Sequence, residues 1–233
     1  MILSAHQPAY LPWLGLFDKI AKSDVFVQFD MVQFEKDSYI NRNKIRTKTG
    51  TQWLTVPIQS VGHMSHTIYD TKIDNSRDWK KKHWESIKQN YSKAPYFEKY
   101  AHLLEWTYQK DWDYIADLNI CMLKCFTRLL GINTEIRLAS QFKFKGKKSD
   151  LILDMCKQLG ADKFIFGAEG QKYADVDKFK KEGIEIEFQD YKPTLSIIDS
   201  LFNKGEKTNE LFKCNNPGVG IVCIPTKEIS GTV

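Results

Sequence analysis

Strand-like segments alternate with helix-like segments along most of this chain, and this order constrains its fold more than any other feature. Apolar residues run together or alternate, as in buried strands, at residues 2–5, 24–30, 53–58, 134–140, 163–167 and 184–191. Strands separated by helices favour a largely parallel sheet that is covered on both faces. The sequence therefore predicts an α/β fold of the Rossmann-like three-layer kind, with an additional helical segment in the middle of the chain.

The helices follow from apolar residues spaced three and four positions apart. Pro12 suits the first turn of a helix whose buried face continues to Ala21, and Ser149 suits an N-cap. Gly131 and Gly160 are placed to end helices in the left-handed conformation. This spacing predicts further helices over residues 79–91, 114–130, 149–159 and 176–181. Pro57 indicates that the strand at 53–58 is an edge strand or ends there.

Length and charge limit the domain organisation and the ligand class. The chain has 233 residues with 34 Lys and Arg against 29 Asp and Glu, a formal charge of +5. We expect one domain over residues 1–205 and a tail over 206–233 that adds at most one strand, at 220–224. The modest positive charge suits anionic small molecules such as nucleotides better than a long polyanion.

Targeting signals and cysteines bear on the compartment. The sequence contains no apolar run long enough for a membrane span or a signal peptide, so we expect a cytoplasmic protein without a membrane partner. The five cysteines are an odd number, and Cys121, Cys125 and Cys156 lie on apolar helical faces, which is typical of reduced core thiols. A homodimer is compatible with these features but not required by them.

The ten residues HQPAYLPWLG, which follow the first strand, form the strongest candidate site. Ligands of such sheets bind at the carboxyl ends of strands, so His6 and Gln7 would face a crevice there. Tyr10 and Trp13 would either form the wall of a pocket or pack beneath it. His6 could act as an acid or a base, and Asp30, at the end of the second strand, could orient His6, bind an amine or serve only as a turn residue.

The long polar segment at residues 31–50 is interpreted as a binding loop. It carries amide and guanidinium donors that suit phosphate or sugar hydroxyls, and the alternative is a solvated basic loop. The lysines at 80–82 offer a second basic surface. A turn with two glycines, FGAEGQKY, follows the strand at 163–167 and could present backbone N–H groups to a phosphate. The donors of the polar segment are Asn41, Arg42, Asn43, Lys44 and Arg46.

Three further histidines are candidates for chemistry. His83 shares a helical face with two tryptophans and Tyr91, so its role is either in the core or catalytic. His63 and His66 have a spacing seen in metal sites, but no other ligand of comparable quality stands near them before Asp70. We therefore expect no metal.

Six separated blocks of the sequence resemble the WbqC-like protein family in their order and spacing. They span residues 1–205 and include the opening turn with the strand and loop after it, through NRNKIRT. The other blocks are WLTVPI, KKHWESIKQNYSKAPYF, IADLNI, LGADKFIFGAEGQKY and LSIIDSLFN. The resemblance implies a bacterial protein associated with surface polysaccharides, such as O-antigen.

The resemblance also implies an activity and a set of site residues. The activity is N-acyl transfer from acetyl-CoA, a co-substrate, to the amine of a nucleotide-linked amino sugar. The chain departs from the family pattern at Met31, where a second acid usually follows Asp30, and in a short segment near residues 190–197. The positions implied are His6, Gln7, Pro8, Tyr10, Trp13, Asp30, Gln33, Asn41, Arg42, Asn43, His83, Tyr91, Gly167 and Tyr173.

Two other function classes stay open on the sequence. The same crevice could serve nucleotidyl transfer or another modification of a nucleotide sugar, in which a histidine and a lysine stabilise charge on diphosphate. The aromatic content of 13% with a basic excess could instead mark a module that binds nucleotides or single-stranded nucleic acid. Because the aromatic residues keep core spacing, we expect no nucleic-acid partner.

Overall fold

The computed structural model describes residues 1–59, 66–191 and 194–212, and its centre is a parallel sheet. Five strands pair in the order β5-β2-β1-β6-β7, and every neighbouring pair is parallel. Their bounds are β1 (Ile2–His6), β2 (Val25–Gln28), β5 (Glu135–Leu138), β6 (Lys163–Phe166) and β7 (Glu185–Phe188). The predicted parallel sheet with its Rossmann-like arrangement is confirmed.

Helices cover this sheet on both faces. The bounds are α1 (Leu14–Ala21), α2 (Trp79–Tyr91), α3 (Phe97–Gln109), α4 (Ile115–Leu129), α5 (Ser149–Leu159), α6 (Val176–Lys181) and α7 (Ile197–Lys204). The larger hydrophobic core contains residues of α1 to α4 and α7, whereas α5 and α6 belong to a second core with alternate residues of β1, β2 and β6. None of the helices in the described part of the chain has the length and apolar character needed to cross a bilayer.

The order of the strands creates a switch point between β1 and β6. The chain moves from β1 outward to β2 and β5, then crosses to β6 and continues outward to β7. Connections between parallel strands are right-handed, and here they run in opposite directions on the two sides of β1. The connecting helices therefore lie on opposite faces of the sheet. The segments after β1 and β6 therefore diverge and leave a crevice at their carboxyl ends, where such sheets bind ligands.

The segment predicted as a polar loop contains a strand. β3 (Arg42–Thr47) pairs antiparallel with β4 (Gly50–Thr55) in a separate two-stranded hairpin. The loop prediction for residues 31–50 is therefore wrong in its second half. The buried residues of β3 are Asn43 and Ile45. Because Asn43 is polar, the alternation of apolar and polar residues that marks a strand is not visible in the sequence.

Most helix ends agree with the sequence, with two exceptions. Gly131 and Gly160 have φ values of +64° and +71°, as left-handed caps require. Pro12 lies two residues before α1 rather than in its first turn, and its carbonyl accepts a hydrogen bond from Ile197 N–H. Ser149 does not cap α5; it is the first helical residue, and its hydroxyl accepts a hydrogen bond from Asp175 N–H.

The folded region extends beyond residue 205. Gly205–Leu211 forms a short 3₁₀ helix against α7, and Phe212 is buried in the larger core. Packing thus continues seven residues into the segment predicted as a tail. The possible strand at 220–224 and the cysteines at 214 and 223 lie outside the described residues.

Candidate functional site

A cavity of about 800 Å³ lies at the switch point of the sheet. It is lined by residues from the carboxyl ends of β1 and β6, from α1, and from the segments that follow β2 and β7. This volume is in the range of small-molecule sites, and the lining combines aromatic rings with a few polar groups. The polar side chains of the lining are His6, Gln7, Lys19, Glu35, Ser38, Tyr39, Glu169, Tyr173, Gln189 and Tyr191, together with the indole of Trp13.

Lys19 lies at the inner wall of this cavity. Its side chain is on α1, a helix in which every residue from Gly15 to Ala21 is buried, and Lys19 itself is only 2% exposed. The ammonium Nζ donates a hydrogen bond to the carbonyl of Ala5 on β1 at 2.9 Å. Burial lowers the pKa of Lys19 to about 7. The ammonium is thus poised to lose its proton near neutral pH.

His6 lies at the end of β1, partly buried and against Trp13. Its Nδ1 is 2.8 Å from the carbonyl of Gln7, and because a carbonyl only accepts, Nδ1 carries the proton. Burial, and then the charge of Lys19, lowers the pKa of His6 to about 3. The ring is therefore neutral near pH 7, and Nε2 is the nitrogen whose lone pair can accept a proton.

Aromatic rings form one wall of the cavity and continue beyond it. The His6 ring meets Trp13 edge-on with centroids 5.2 Å apart, Trp13 lies 5.3 Å from Tyr39, and Tyr39 lies 5.7 Å from Trp53. On the other side, Tyr191 packs on α1 because residue 15 is glycine; a Cβ there would lie 2.4 Å from Tyr191 Cδ1. Trp53 does not line the cavity but extends its aromatic wall by one ring.

Buried asparagines hold the turn that carries His6 to Trp13. Asn43 donates from Nδ2 to the carbonyl of Leu11 at 2.6 Å, where Leu11 has a φ of +42°. Asn41, just before β3, donates to the carbonyl of Val56, just after β4, at 2.9 Å. The expectation that these amides face a ligand is not supported, because both side chains are buried and neither lines the cavity. Asn43 instead fixes the unusual backbone of the turn.

Replacing Asn43 with alanine is expected to destabilise the protein by about 1–3 kcal/mol, because the carbonyl of Leu11 loses its buried donor. Urea denaturation of both proteins measures this difference. Asn203→Ala is the control, since its amide also donates to a backbone carbonyl but on the exposed side of α7, and a change within about 0.5 kcal/mol is expected. An equally small change for Asn43→Ala would contradict the role given to it.

Asp30 does not pair with His6 in the structure. The side chain is fully buried, and its two carboxylate oxygens accept hydrogen bonds from the backbone N–H of Ser140 at 2.9 Å and from the Ser140 hydroxyl at 2.6 Å. Ser140 follows β5, on the side of β2 away from β1. Asp30 therefore joins the ends of β2 and β5, and the proposed orientation of His6 by this carboxylate is corrected.

His83 and Tyr10 belong to a buried cluster away from the cavity lining. The Tyr10 hydroxyl is 2.8 Å from His83 Nδ1 and also contacts the Tyr108 hydroxyl. The ring of Trp79 packs edge-on against His83. Burial lowers the pKa of His83 to about 4, so the ring is neutral. Of the alternatives left open by the sequence, these contacts favour a core position for His83 and packing away from the cavity for Tyr10.

The remaining expected binding residues occupy other surfaces. Arg42 forms an ion pair with Asp37 and, like Lys44, lies over the ring of Trp53, at 4.4 and 4.8 Å from its centroid. The Tyr91 hydroxyl donates to Asp199, which also binds Arg46. Gln33 is exposed and forms a β-bridge with Thr67. None of these side chains lines the cavity.

The cavity brings together part of the predicted set and adds residues that the sequence did not identify. His6, Gln7, Trp13, Gly167 and Tyr173 line it as expected. Lys19 was missed because a lysine in an amphipathic helix is normally solvated. Tyr39, Glu169, Gln189 and Tyr191 were also missed, although the glutamate lies in the predicted turn FGAEGQKY.

Metal binding was considered at the two histidines of GHMSH. His63 lies outside the described residues, whereas His66 is described. Within the described ranges, no group of three or more His, Cys, Asp and Glu side chains could hold a metal ion.

Comparisons with known proteins agree on one family. A family model described as the WbqC-like protein family matches residues 7–210. An uncharacterized protein of Mycobacterium tuberculosis (strain ATCC 25618 / H37Rv), Rv1507c, is 32% identical over 221 residues, which cover 89% of this chain and 95% of that protein. No solved structure matches the chain.

Proposed function

This chain belongs to the WbqC-like protein family, and from that premise we propose that it is an N-acyltransferase. The acyl group would come from acetyl-CoA or a related thioester, and the acceptor would be the amine of a nucleotide-linked amino sugar. The product would serve the synthesis of a surface polysaccharide such as O-antigen, in the cytoplasm.

The observation that carries this proposal is the tautomer of His6 in the switch-point cavity. An amine that attacks a thioester must lose a proton, and the histidine that accepts this proton must be unprotonated before the reaction. The hydrogen bond from Nδ1 to Gln7 leaves Nε2 free for that purpose. The low pKa keeps the ring uncharged, but it also makes Nε2 a weak base until a bound ligand changes its surroundings. The carboxyl edge of a parallel sheet is also where small substrates bind in this architecture.

The proposed reaction balances with the groups present. The nitrogen of the amine forms a bond to the thioester carbonyl carbon, and the carbon–sulfur bond breaks as coenzyme A leaves. His6 Nε2 accepts the proton from nitrogen and returns it to the departing thiolate. The acceptor amine reacts in its neutral form, and the carboxylates of Glu35 and Glu169, which line the same cavity, would accept hydrogen bonds from its N–H groups.

The basic side chains of the hairpin support an anionic, extended ligand. Arg42 and Lys44 stack on Trp53, one aromatic ring beyond Tyr39 in the cavity wall. A ligand whose reactive end occupies the cavity could extend along these rings and place phosphates near both cations. This arrangement supports a role for both cations in binding the phosphates of a nucleotide rather than in the reaction itself.

A thiol-release assay tests the proposal directly. Purified protein is incubated with acetyl-CoA and a panel of nucleotide-linked amino sugars, and free thiol is measured beside controls lacking each substrate. Release that depends on one amino sugar, with mass spectrometry showing the acetylated product, is the expected result. Diphosphate release from a nucleoside triphosphate and a sugar phosphate, without thiol release, would replace acyl transfer by nucleotidyl transfer.

A further inference from the structure

Few groups around Lys19 balance its positive charge. Among residues 1–59, 66–191 and 194–212, the ammonium donates one hydrogen bond, to the carbonyl of Ala5, and no carboxylate lies within 4.0 Å of it. The neighbouring carboxylate on α1, Asp18, already binds Lys22 and the amide of Gln189. An ammonium has three donors, so Lys19 retains donors for a ligand.

The ammonium of Lys19 lies where a ligand in the cavity can contact it. Ala5 is at the end of β1, and a Cβ added to Gly167, just after β6, would lie 3.8 Å from Lys19 Nζ. Nζ is therefore held between the ends of the two strands that form the switch point. Lys19 and Gly167 both line the cavity, so a ligand in the cavity can approach the ammonium without a change of the fold.

We propose that Lys19 forms the anchor of an anion-binding subsite, which takes an oxyanionic group of the ligand, a carboxylate or a phosphoryl group, between the ends of β1 and β6. The subsite deepens the proposed function and rests on it for the identity of the ligand. A buried cation without a carboxylate partner favours an anion that restores charge balance. The turn that begins at Gly167 also lines the cavity, and its backbone N–H groups would complete the set of donors.

Binding of the anion would also act on His6. The charge of Lys19 is the second cause that lowers the pKa of His6, after burial. A negative group placed beside Lys19 would oppose that charge and make Nε2 a stronger base. The subsite thus couples occupation of the cavity to activation of the neighbouring histidine.

Titration of wild-type protein and three variants with sodium sulfate and, separately, sodium acetate tests the subsite. Isothermal titration calorimetry at constant ionic strength measures each affinity at pH 6 and pH 8. Lys19→Met removes the ammonium. Gly167→Asp places a carboxylate beside it, and the φ of −72° at residue 167 accepts any side chain. Lys22→Met is the matched control, because Lys22 directly follows α1, is partly exposed and is paired with Asp18.

Wild-type protein and Lys22→Met are expected to bind at least one of the two anions, about tenfold more weakly at pH 8 than at pH 6, since only the charged form of Lys19 binds. Lys19→Met and Gly167→Asp should bind that anion at least tenfold more weakly at pH 6. Stronger binding of sulfate would assign a phosphoryl group, and stronger binding of acetate a carboxylate.

Other titratable groups also face the cavity, and the variants separate them from Lys19. These groups are His6 on β1, Glu35 and Tyr39 after β2, Glu169 and Tyr173 after β6, and Tyr191 after β7. The ion pair of Asp18 and Lys22 lies near Lys19 in the sequence but outside the cavity lining. Lys19→Met retains all of them, so unchanged binding and pH dependence in that variant would overturn the proposal. Wild-type protein that binds neither anion at pH 6 would overturn it as well.

The two proposals fail in distinguishable ways. Anion binding that depends on Lys19, without thiol release from any acyl-CoA, would refute acyl transfer and keep the subsite. Thiol release that is equally rapid in Lys19→Met, with no anion binding, would keep acyl transfer and refute the subsite.

Discussion

Replacing His6 with asparagine is expected to lower kcat for acyl transfer by about a hundred-fold to ten-thousand-fold. Asparagine can still donate to the carbonyl of Gln7, as His6 Nδ1 does, but it has no nitrogen lone pair that accepts a proton. The steady-state rate of thiol release with saturating acyl-CoA and acceptor measures the effect. KM should change less than kcat, because proton transfer belongs to the transition state rather than to ground-state binding.

His102→Asn is the matched control for this experiment. His102 is an exposed residue of α3, outside the cavity lining, and its replacement should leave kcat within twofold. Thermal unfolding of the His6→Asn protein within a few degrees of wild type would show that the loss is chemical. A His6→Asn enzyme with full turnover would remove His6 from the mechanism.

The parallel strands and most of the helices were predictable because their signals are local, whereas α3 and α7 were not predicted. The apolar stripe of α4 and the glycines that end α4 and α5 fix those elements without reference to the rest of the chain. β3 was not predictable in the same way. Its strand character depends on pairing with β4, and its buried Asn43 serves the turn at Leu11, 32 residues earlier in the chain.

The candidate site was predictable in its place but not in its partners. The sequence puts His6 and Asp30 at strand ends on one edge of the sheet, which is correct. It does not give the order of the strands, and β2 lies between β1 and β5, so Asp30 meets Ser140 instead of His6. Lys19 was missed for a related reason. Every residue of α1 from Gly15 to Ala21 is buried, and this burial depends on tertiary packing that the helical spacing does not reveal.

Removing the ammonium of Lys19 is expected to change how stability depends on pH. The folded protein holds the pKa of Lys19 at about 7, far below its value of about 10.4 in an unfolded chain, because burial penalises the charge. The unfolded state therefore binds more protons above pH 7, and Lys19 makes wild-type stability rise with pH between about 7 and 10. Lys19→Met has a similar volume and lacks this contribution.

Urea denaturation of wild type, Lys19→Met and Lys22→Met at pH 6 and pH 9 measures the difference. Relative to Lys19→Met, wild type should gain about 2–3 kcal/mol of unfolding free energy from pH 6 to pH 9, and the methionine variant should be the more stable protein at pH 6. Lys22→Met should follow wild type, since Lys22 is partly exposed and paired with Asp18. Parallel pH profiles for wild type and Lys19→Met would show that Lys19 keeps an ordinary pKa when folded.

The choice of buffer decides whether this effect is seen. An anion that binds only the charged form of Lys19 stabilises the folded protein at pH 6 and raises the pKa of the ammonium toward its unfolded value. Sulfate at a saturating concentration should therefore reduce the gain in unfolding free energy of wild type between pH 6 and pH 9. It should leave the pH dependence of Lys19→Met unchanged. Stability and anion binding then both depend on the protonation of Lys19 Nζ. Neither measurement requires the reaction to be known.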